Sequence, residues 1–438
     1  MKFLSGFIGL LLCAMITGPA ATAADHKEQP HWTIIHAGTL MTDAREEVRR
    51  EQSILIKNDR IEEIRPGYVM PEELDQVSEA DIIDLRDQFV MPGMIDSHTH
   101  VTMEISKNSR LEAVTLTEAD YAIMGVPFAR RILAAGFTTI RNVGGPRDGI
   151  FALRDGINKG LIQGPRILAA GYTISPLGGH GDTNGFRHGV IEPDSGICNG
   201  ADDCRRAVRE QIKFGADVIK YVATGGVLSN IAAGTGQQFT DAEQRAIVET
   251  AHSMGRKVAA HAHGADGINA ALKAGVDSIE HGTYLDKESI KLFKKTGAYH
   301  VPTVLAGITA AEMAEIPGTL PPASVDKARK VGPQIMEALS RSYKSGVKIA
   351  FGTDSGVSKH GINGRELELM VEAGMPERAV LEAATVNAAD LLGLADEIGT
   401  LEKGKVADII AARGNPLEDI STLRTPSFVM ARGKAFVR

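Results

Sequence analysis

The chain has 438 residues, a length that suits one large domain or two to three ordinary ones. Apolar residues make up 43% and charged residues 24%, a globular composition rather than a disordered or collagen-like one. Forty-eight basic against 55 acidic residues leave a net charge of −7 with no basic patch, which argues against nucleic acid as a partner, and 47 glycines imply many tight turns.

At the start, Lys2 precedes an apolar run from Phe3 to Ile16 and then small residues ending Ala21-Thr22-Ala23-Ala24. A charged n-region, an apolar h-region and an A-x-A-like site predict a secretory leader over residues 1–24, cut near Ala23 or Ala24. The apolar run is shorter than the ~20 residues of a membrane span, so none is expected. Leu12 stands before Cys13 where a lipoprotein would carry a small residue. An exported protein, periplasmic or secreted, is expected.

From Trp32 to about Met91 short apolar runs are broken by polar turns. Thr33-Ile34-Ile35, Ser53-Ile54-Leu55-Ile56 and Asp81-Ile82-Ile83-Asp84-Leu85 read as strands, with Asn58-Asp59 as a hairpin turn. The same texture returns in Ala407-Asp408-Ile409-Ile410-Ala411 and Phe428-Val429-Met430-Ala431. Residues 25–92 and 397–438 are therefore expected to join as one small β-sandwich domain, with residues 93–396 inserted between them.

Inside 93–396, apolar runs recur at Gly93–Asp96, Thr138–Ile140, Arg166–Ala169, Val218–Val222, Lys257–His261, Ser278–His281, Tyr299–Val301 and Val347–Phe351. Helical patterns lie between several of them. Examples are Asp203–Phe214 and Asp241–Met254, the latter with Thr240 as N-cap and Glu243 three residues on. Strands alternating with helices over about 300 residues predict an α/β fold, a (β/α)8 TIM barrel. An open doubly wound sheet is the alternative, but no G-x-G-x-x-G follows the first strand. Beyond the leader only Cys198 and Cys204 remain. In an oxidising compartment they are expected to form a disulfide closing a short surface loop, with free thiols as the alternative that spacing leaves open.

Rare residues fall at the strand ends. His98 and His100 end the first strand, Lys220 lies on the fourth, His261 ends the fifth, His281 ends the sixth, and Asp354 follows the eighth. In a barrel these ends share one mouth, where active sites sit. Singly, each has a plainer reading: a hydrogen-bonded core histidine, an ion-paired lysine, or a turn aspartate in Gly352-Thr353-Asp354-Ser355-Gly356. The two rings of His98-Thr99-His100 share a face because strand side chains alternate. Together the six converge on one space, and imidazole with carboxylate suits zinc and related ions.

Met91-Pro92-Gly93-Met94-Ile95-Asp96-Ser97-His98-Thr99-His100 resembles the first-strand motif of the amidohydrolase superfamily. The likeness continues through Val218-Ile219-Lys220, Ala260-His261-Ala262-His263-Gly264, Ile279-Glu280-His281-Gly282, Gly352-Thr353-Asp354 and the closing Gly399-Thr400-Leu401-Glu402-Lys403-Gly404-Lys405-Val406-Ala407-Asp408. Ala223-Thr224-Gly225-Gly226 and Gly178-Gly179-His180 resemble the imidazolonepropionase-related branch, with its exported Xaa-Pro and Xaa-Arg/Lys dipeptidases and ochratoxin-hydrolysing amidohydrolases. The resemblance implies two divalent metal ions, zinc foremost. His98, His100 and Asp354 would hold one and His261 and His281 the other, with Lys220 bridging them as a carbon dioxide-derived carbamate. It implies Asp354 as the catalytic base that also returns a proton to the leaving amine. His263 competes with His261 for the fifth-strand position; His261 is expected to be the ligand and His263 to touch substrate.

Four further side chains are candidate substrate contacts. Tyr221 either points out of the barrel or polarises a scissile carbonyl. Arg141 is a candidate fork for a substrate carboxylate, with a structural ion pair as the alternative. His180 and His263 are candidates at the mouth, and Arg187, His188, His360 and Arg365 lie in expected mouth-side loops. The resemblance implies hydrolysis of the amide bond to a C-terminal amino acid, as in dipeptides, N-acyl amino acids and ochratoxin-type amides. Cyclic-amide, lactone or phosphotriester hydrolysis is the alternative on the same site. A catalytically dead metal-binding barrel would be expected to have lost ligands, yet all six positions are filled. A small-molecule substrate and association as a homo-oligomer are expected.

Overall fold

The computed structural model describes residues 30–436 apart from Gln76, Ser78, His188 and residues 231–233, so the expected leader lies outside the described residues. The N-terminal strands are β1 (Trp32–Leu40), β2 (Arg49–Lys57), β3 (Arg60–Pro66) and β4 (Asp81–Pro92). The central strands are β5 (Met94–Thr99), β6 (Phe137–Asn142), β7 (Arg166–Ala169), β8 (Val218–Val222), β9 (Lys257–Ala262), β10 (Ser278–His281) and β11 (Tyr299–Val301). The chain closes with β12 (Ile409–Ala412), β13 (Phe428–Ala431) and β14 (Lys434–Ala435).

The two ends of the chain do meet, but not as two facing ladders. They form one seven-stranded sheet ordered β14-β13-β12-β4-β1-β2-β3. Its centre is β4, which pairs parallel with β1 and antiparallel with β12, so the ladder runs unbroken from one end of the chain to the other. That continuity replaces the expected sandwich. The sheet curls until β3 reaches the segment before β12, with Ile61 N donating to the Lys405 carbonyl at 2.9 Å and Gly404 N to the Ile61 carbonyl at 2.7 Å. Ile35, Ile54, Ile56, Ile61, Ile409 and Met430 fill the enclosed core, each contributing about 2 kcal/mol of burial. Asn58 turns the β2–β3 hairpin at φ 58°, a left-handed conformation that asparagine tolerates.

Only Gly93 separates β4 from β5, and its N–H donates to the Asp408 carbonyl at 2.8 Å. A Cβ there would lie 2.2 Å from Thr138 Oγ1, so the close approach requires glycine. The central strands make two parallel sheets, β5-β6-β7 and β11-β10-β9-β8. Both faces of these strands are covered, which is why they read as continuous apolar runs. Helices alternate with them: α1 (Ser109–Thr115) and α2 (Glu118–Ala134) after β5, α3 (Arg147–Asn158) after β6, and α4 (Ala201–Lys213) after β7. Next come α5 (Asp241–Ser253), α6 (Ala265–Ala274) and α7 (Lys287–Thr296), the pair α8 (Val304–Ala314) and α9 (Pro322–Lys344), and then α10 (Arg365–Glu372). The start of α5 is as the sequence signals it, with the Thr240 hydroxyl accepting from Glu243 N and Thr240 N donating to Glu243 Oε2.

The two parallel sheets are joined at both margins. Ile174 N donates to the Lys220 carbonyl at 2.8 Å, and Val222 N to the Ile174 carbonyl at 3.0 Å. On the other side the expected eighth strand, Val347–Phe351, is no regular ladder. It bridges singly, with His300 N donating to Lys348 O at 2.9 Å and Ser97 N to Phe351 O at 2.9 Å. The segment runs straight into Gly352 and the left-handed Asp354 at φ 55°, which leaves it too short for paired rungs.

Cys198 and Cys204 are joined by a disulfide, and neither is exposed at all. The residues between them, Asn199 to Asp203, are exposed or half-buried, the short surface loop expected, while the two sulfurs belong to the core. Cys198 N donates to the Ser175 carbonyl at 3.0 Å, so the link anchors the long loop after β7. Replacing both cysteines with alanine is expected to cost about 2 kcal/mol, the loop-entropy term for so short a ring. A urea titration reads this as a lower midpoint with unchanged slope, and an unchanged midpoint would show that the pair adds nothing.

Candidate active site

The C-terminal ends of the parallel strands bring five histidines, a lysine and an aspartate around one cavity of about 620 Å³. From β5 and the residue after it come His98 and His100; β8 brings Lys220, and β9 brings His261 with His263 just beyond. His281 ends β10, and Asp354 follows the eighth segment. Asp354 Oδ1 stands 3.4 Å from His98 Nε2 and 3.2 Å from His100 Nε2. The His261 and His281 rings lie 4.6 Å apart, and the His98 and His281 rings 5.1 Å apart, centre to centre.

The other nitrogen of each ring decides what faces the cavity. His98 Nδ1 donates to Glu280 Oε2 at 2.7 Å, and His100 Nδ1 donates to the Gly144 carbonyl at 2.8 Å. A carbonyl and an ionised carboxylate can only accept, so both rings carry their proton on Nδ1 and present a bare Nε2 lone pair inward. Those lone pairs face a carboxylate oxygen that itself has no hydrogen-bond partner, and His261 Nε2 is another buried atom without one. Acceptors gathered around acceptors at this depth call for a cation between them, and imidazole with carboxylate is the donor set that binds zinc-like ions. The residues present therefore fit metal.

Electrostatics agree. Burial pushes the Asp354 carboxyl upward, and positive charge at the His98 and His100 positions is what would hold it well below the usual carboxylate range; with both rings neutral, that charge falls to a cation bound between them. Burial lowers Lys220 to about 8, against the pull of Glu280 and Asp354, so a substantial share of its amine is neutral near physiological pH. Burial above all, and then the crowding of the other rings and Lys220, drives His261 and His281 well below the usual imidazole value, which keeps them neutral. His281 and Asp354 both take positive φ, at 72° and 55°. Strain of this sort persists only where surrounding contacts overdetermine it. Asp96 supplies several of those contacts, accepting from Thr353 N, Thr353 Oγ1, Asn363 Nδ2 and His98 N.

Two expected substrate contacts do not reach the cavity. Arg141 is buried beneath it, with Nε on the Ser97 carbonyl at 2.6 Å, Nη1 on Ser278 Oγ at 3.1 Å and Nη2 on Glu280 Oε1 at 2.9 Å. Its guanidinium is consumed in neutralising Glu280, so it is the structural ion pair and not the carboxylate fork. Tyr221 points outward, and its hydroxyl donates to Gln244 on α5 at 2.9 Å. The phenol is fully enclosed there and cannot meet a carbonyl in the cavity. His180 and His263 do line the cavity, and the His180 ring packs 4.2 Å from that of His261. It lies flat on Gly226, where a Cβ would come within 2.1 Å of the ring. His360 bonds Ser355 and the Met103 carbonyl, Arg365 pairs with Glu368 and Glu372, Arg187 is exposed and does not line the cavity, and His188 lies outside the described residues.

Glu280 was passed over by the sequence reading. Burial would raise its carboxyl, yet Arg141 and His98 hold it at about 2, so it is a permanent anion beneath the site. The available signal was a charged residue inside the fully buried strand Ser278-Ile279-Glu280-His281. Thr283 and Thr303, which bond His263 Nδ1 at 2.8 Å and His281 Nδ1 at 2.7 Å, gave no such signal. The cavity beyond the histidines has an apolar wall that includes Val227, Leu228, Ala310, Val331 and Ile335, and its lining also includes Glu118, Tyr121, Tyr172 and Asp194. Arg141→Leu is expected to destabilise the fold by about 3–5 kcal/mol by stranding the Glu280 charge. Tyr221→Phe is expected to lose about 1 kcal/mol and keep turnover within about twofold. Denaturation and steady-state rates check both, and a large loss of turnover in Tyr221→Phe would return that phenol to the chemistry.

The Amidohydrolase family model matches residues 89–436. Ochratoxinase from Aspergillus niger is 33% identical over 417 residues, covering 91% of this chain and 84% of that protein. A crystal structure of a Xaa-Pro dipeptidase with bound methionine in the active site superposes with a TM-score of 0.88 at 42% identity, covering 93% of this chain and all of the other. A prolidase complexed with N-methylphosphonate-L-proline gives 0.84 at 32% identity, covering 93% and 100% of the two chains. The mixed α/β body with its separate sheet is the amidohydrolase fold, of the TIM-barrel superfamily. The chain belongs to the amidohydrolase family and is a hydrolase acting on C–N bonds.

Proposed function

We propose that the protein hydrolyses the amide bond to a C-terminal amino acid, with dipeptides and N-acyl amino acids as its substrate class and ochratoxin-type amides within it. The observation that carries this reading is the ring of bare Nε2 atoms around an unpartnered Asp354 oxygen, set in a chain whose relatives include a Xaa-Pro dipeptidase and an ochratoxinase. We read the two parallel sheets and the Val347–Phe351 segment as one eight-membered barrel with this site at its mouth.

His98, His100 and Asp354 would hold one divalent ion, His261 and His281 a second, zinc being the first choice for both. Lys220 would join them as a carbamate, a modification that needs the neutral amine favoured by its burial. Such ions lower the pKa of water and polarise a carbonyl. The Asp354 carboxylate takes the proton from the attacking water and returns it to the nitrogen of the departing amino acid. His263 and His180, with burial holding them at about 4 and about 3, stay neutral across physiological pH and orient the substrate's carbonyl and carboxylate ends. The apolar wall shelters one side chain from water. Export through the leader over residues 1–24 is part of the proposal, and the buried disulfide is consistent with an oxidising destination.

Asp354→Asn is expected to lower turnover by at least about a hundredfold, as removal of a general base does. Near-normal turnover would remove Asp354 as base. Lys220→Ala is expected to lose bound metal and recover part of it with short carboxylic acids, read by metal analysis after dialysis. Full metal content without such acids would remove the bridge. Amine release from dipeptides and N-acyl amino acids ending in Pro, Arg, Lys, Phe and Leu tests the substrate class. Cleavage should require a free C-terminal carboxylate, and silence from metal-replete protein would overturn the reading.

A further inference from the structure

Glu366 is a buried carboxylate to which the metal site gives no role. Glu366, on α10, is wholly enclosed, and both of its oxygens are engaged by the first turn of α8: Val304 N donates to Oε1 at 2.9 Å and Leu305 N to Oε2 at 2.6 Å. The first N–H groups of a helix have no partners inside it and are ordinarily met by the side chain of the N-cap residue. Here the N-cap is Thr303, a residue type suited to that task, yet its side chain makes no cap. Its hydroxyl bonds His281 Nδ1 at 2.7 Å instead. Thr303 also sits at φ 53°, a left-handed conformation that is a genuine outlier for a β-branched residue. That backbone turns the hydroxyl away from its own helix and toward the histidine.

We propose that Glu366 is a positioning residue for the histidine cluster: by capping α8 from outside, it frees the Thr303 hydroxyl to fix the His281 ring. The inference rests on the reading of His281 as a metal ligand. The Nδ1 bond turns Nε2 toward the cavity, and loss of the outside cap draws the Thr303 hydroxyl back to the orphaned N–H groups of α8. The same clamp sets the near end of α8, whose Ala306, Gly307 and Ala310 line the cavity. Burial raises the Glu366 carboxyl to about 8 while the two N–H groups oppose that rise. The clamp therefore offers two good acceptors as a carboxylate and one as an acid, and an amide in its place keeps one.

The test is calorimetric titration of metal-free full-length protein with zinc, which needs no substrate. Glu366→Leu, which has no acceptor, is expected to weaken one of the two zinc sites by about tenfold or more, the cost of losing an outer partner of a ligand. Glu366→Gln is expected to restore most of that affinity. Because the clamp works through Thr303, the double variant Glu366→Leu/Thr303→Val should bind zinc no more weakly than Thr303→Val alone. A lower melting temperature in Glu366→Leu with both zinc affinities intact, or losses that add in the double variant, overturns the proposal. If Glu366→Leu does not fold, Glu366→Asp replaces it: its shorter arm cannot reach both N–H groups, so one weakened site supports the clamp and unchanged binding overturns it. Wild-type protein that takes up no pair of zinc ions would instead strike the metal reading, a failure distinct from either.

Discussion

Much of the cavity's character follows from where the ring protons of two buried histidines are held. Glu280 and the Gly144 carbonyl each take an Nδ1 proton, so His98 and His100 can meet Asp354 only with lone pairs. Two acceptors within 3.4 Å of a carboxylate oxygen would repel it if nothing lay between them. The fold supports the arrangement from below: Arg141 neutralises Glu280, Ser278 bonds both, and Asp96 ties the backbone of His98 to that of Thr353. Each of these partners is buried, and so their interactions are little screened by solvent.

His281 shows the same logic applied to a backbone. Its φ of 72° is costly, and two separate contacts hold the residue on either side of that bend. His300 bonds its carbonyl at 3.0 Å, and Thr303 bonds its ring. Both arrive from β11 and the turn after it, so the pairing of β10 with β11 sets the geometry of the site as well as the sheet. Rigid strands thus deliver the histidines, while their orientation is settled by polar groups one layer out.

Much of this was legible in the sequence. The strands at 166–169, 218–222, 278–281 and 299–301 stand where the apolar runs put them. His98, His100, Lys220, His261, His281 and Asp354 stood out because such residues are rare at the ends of buried strands. What could not be read was depth. Arg141 lies on the correct strand, yet it sits a layer below the cavity, and period two says only which face a side chain takes. For Tyr221 the alternation with Lys220 already offered the outward reading, which its bond to Gln244 matches. The sandwich expectation failed for a different reason: texture marks strands but not partners, and the central place of β4 depends on residues more than 300 positions away.

That central place governs the order in which the molecule can be completed. β4 leads through a single glycine into β5, the strand that carries His98, and its other neighbour, β12, lies within the last thirty residues of the chain. During synthesis from the N-terminus the parallel strands all emerge before β12 does. Until it arrives, β4 has an open hydrogen-bonding edge, and Gly93 lacks the Asp408 carbonyl that seats the β4–β5 junction. Final fixation of the strand that carries His98 therefore waits for residues more than 300 positions later. A polypeptide truncated shortly before residue 409 would retain every histidine of the site and still lack the strand that locks the first two in place.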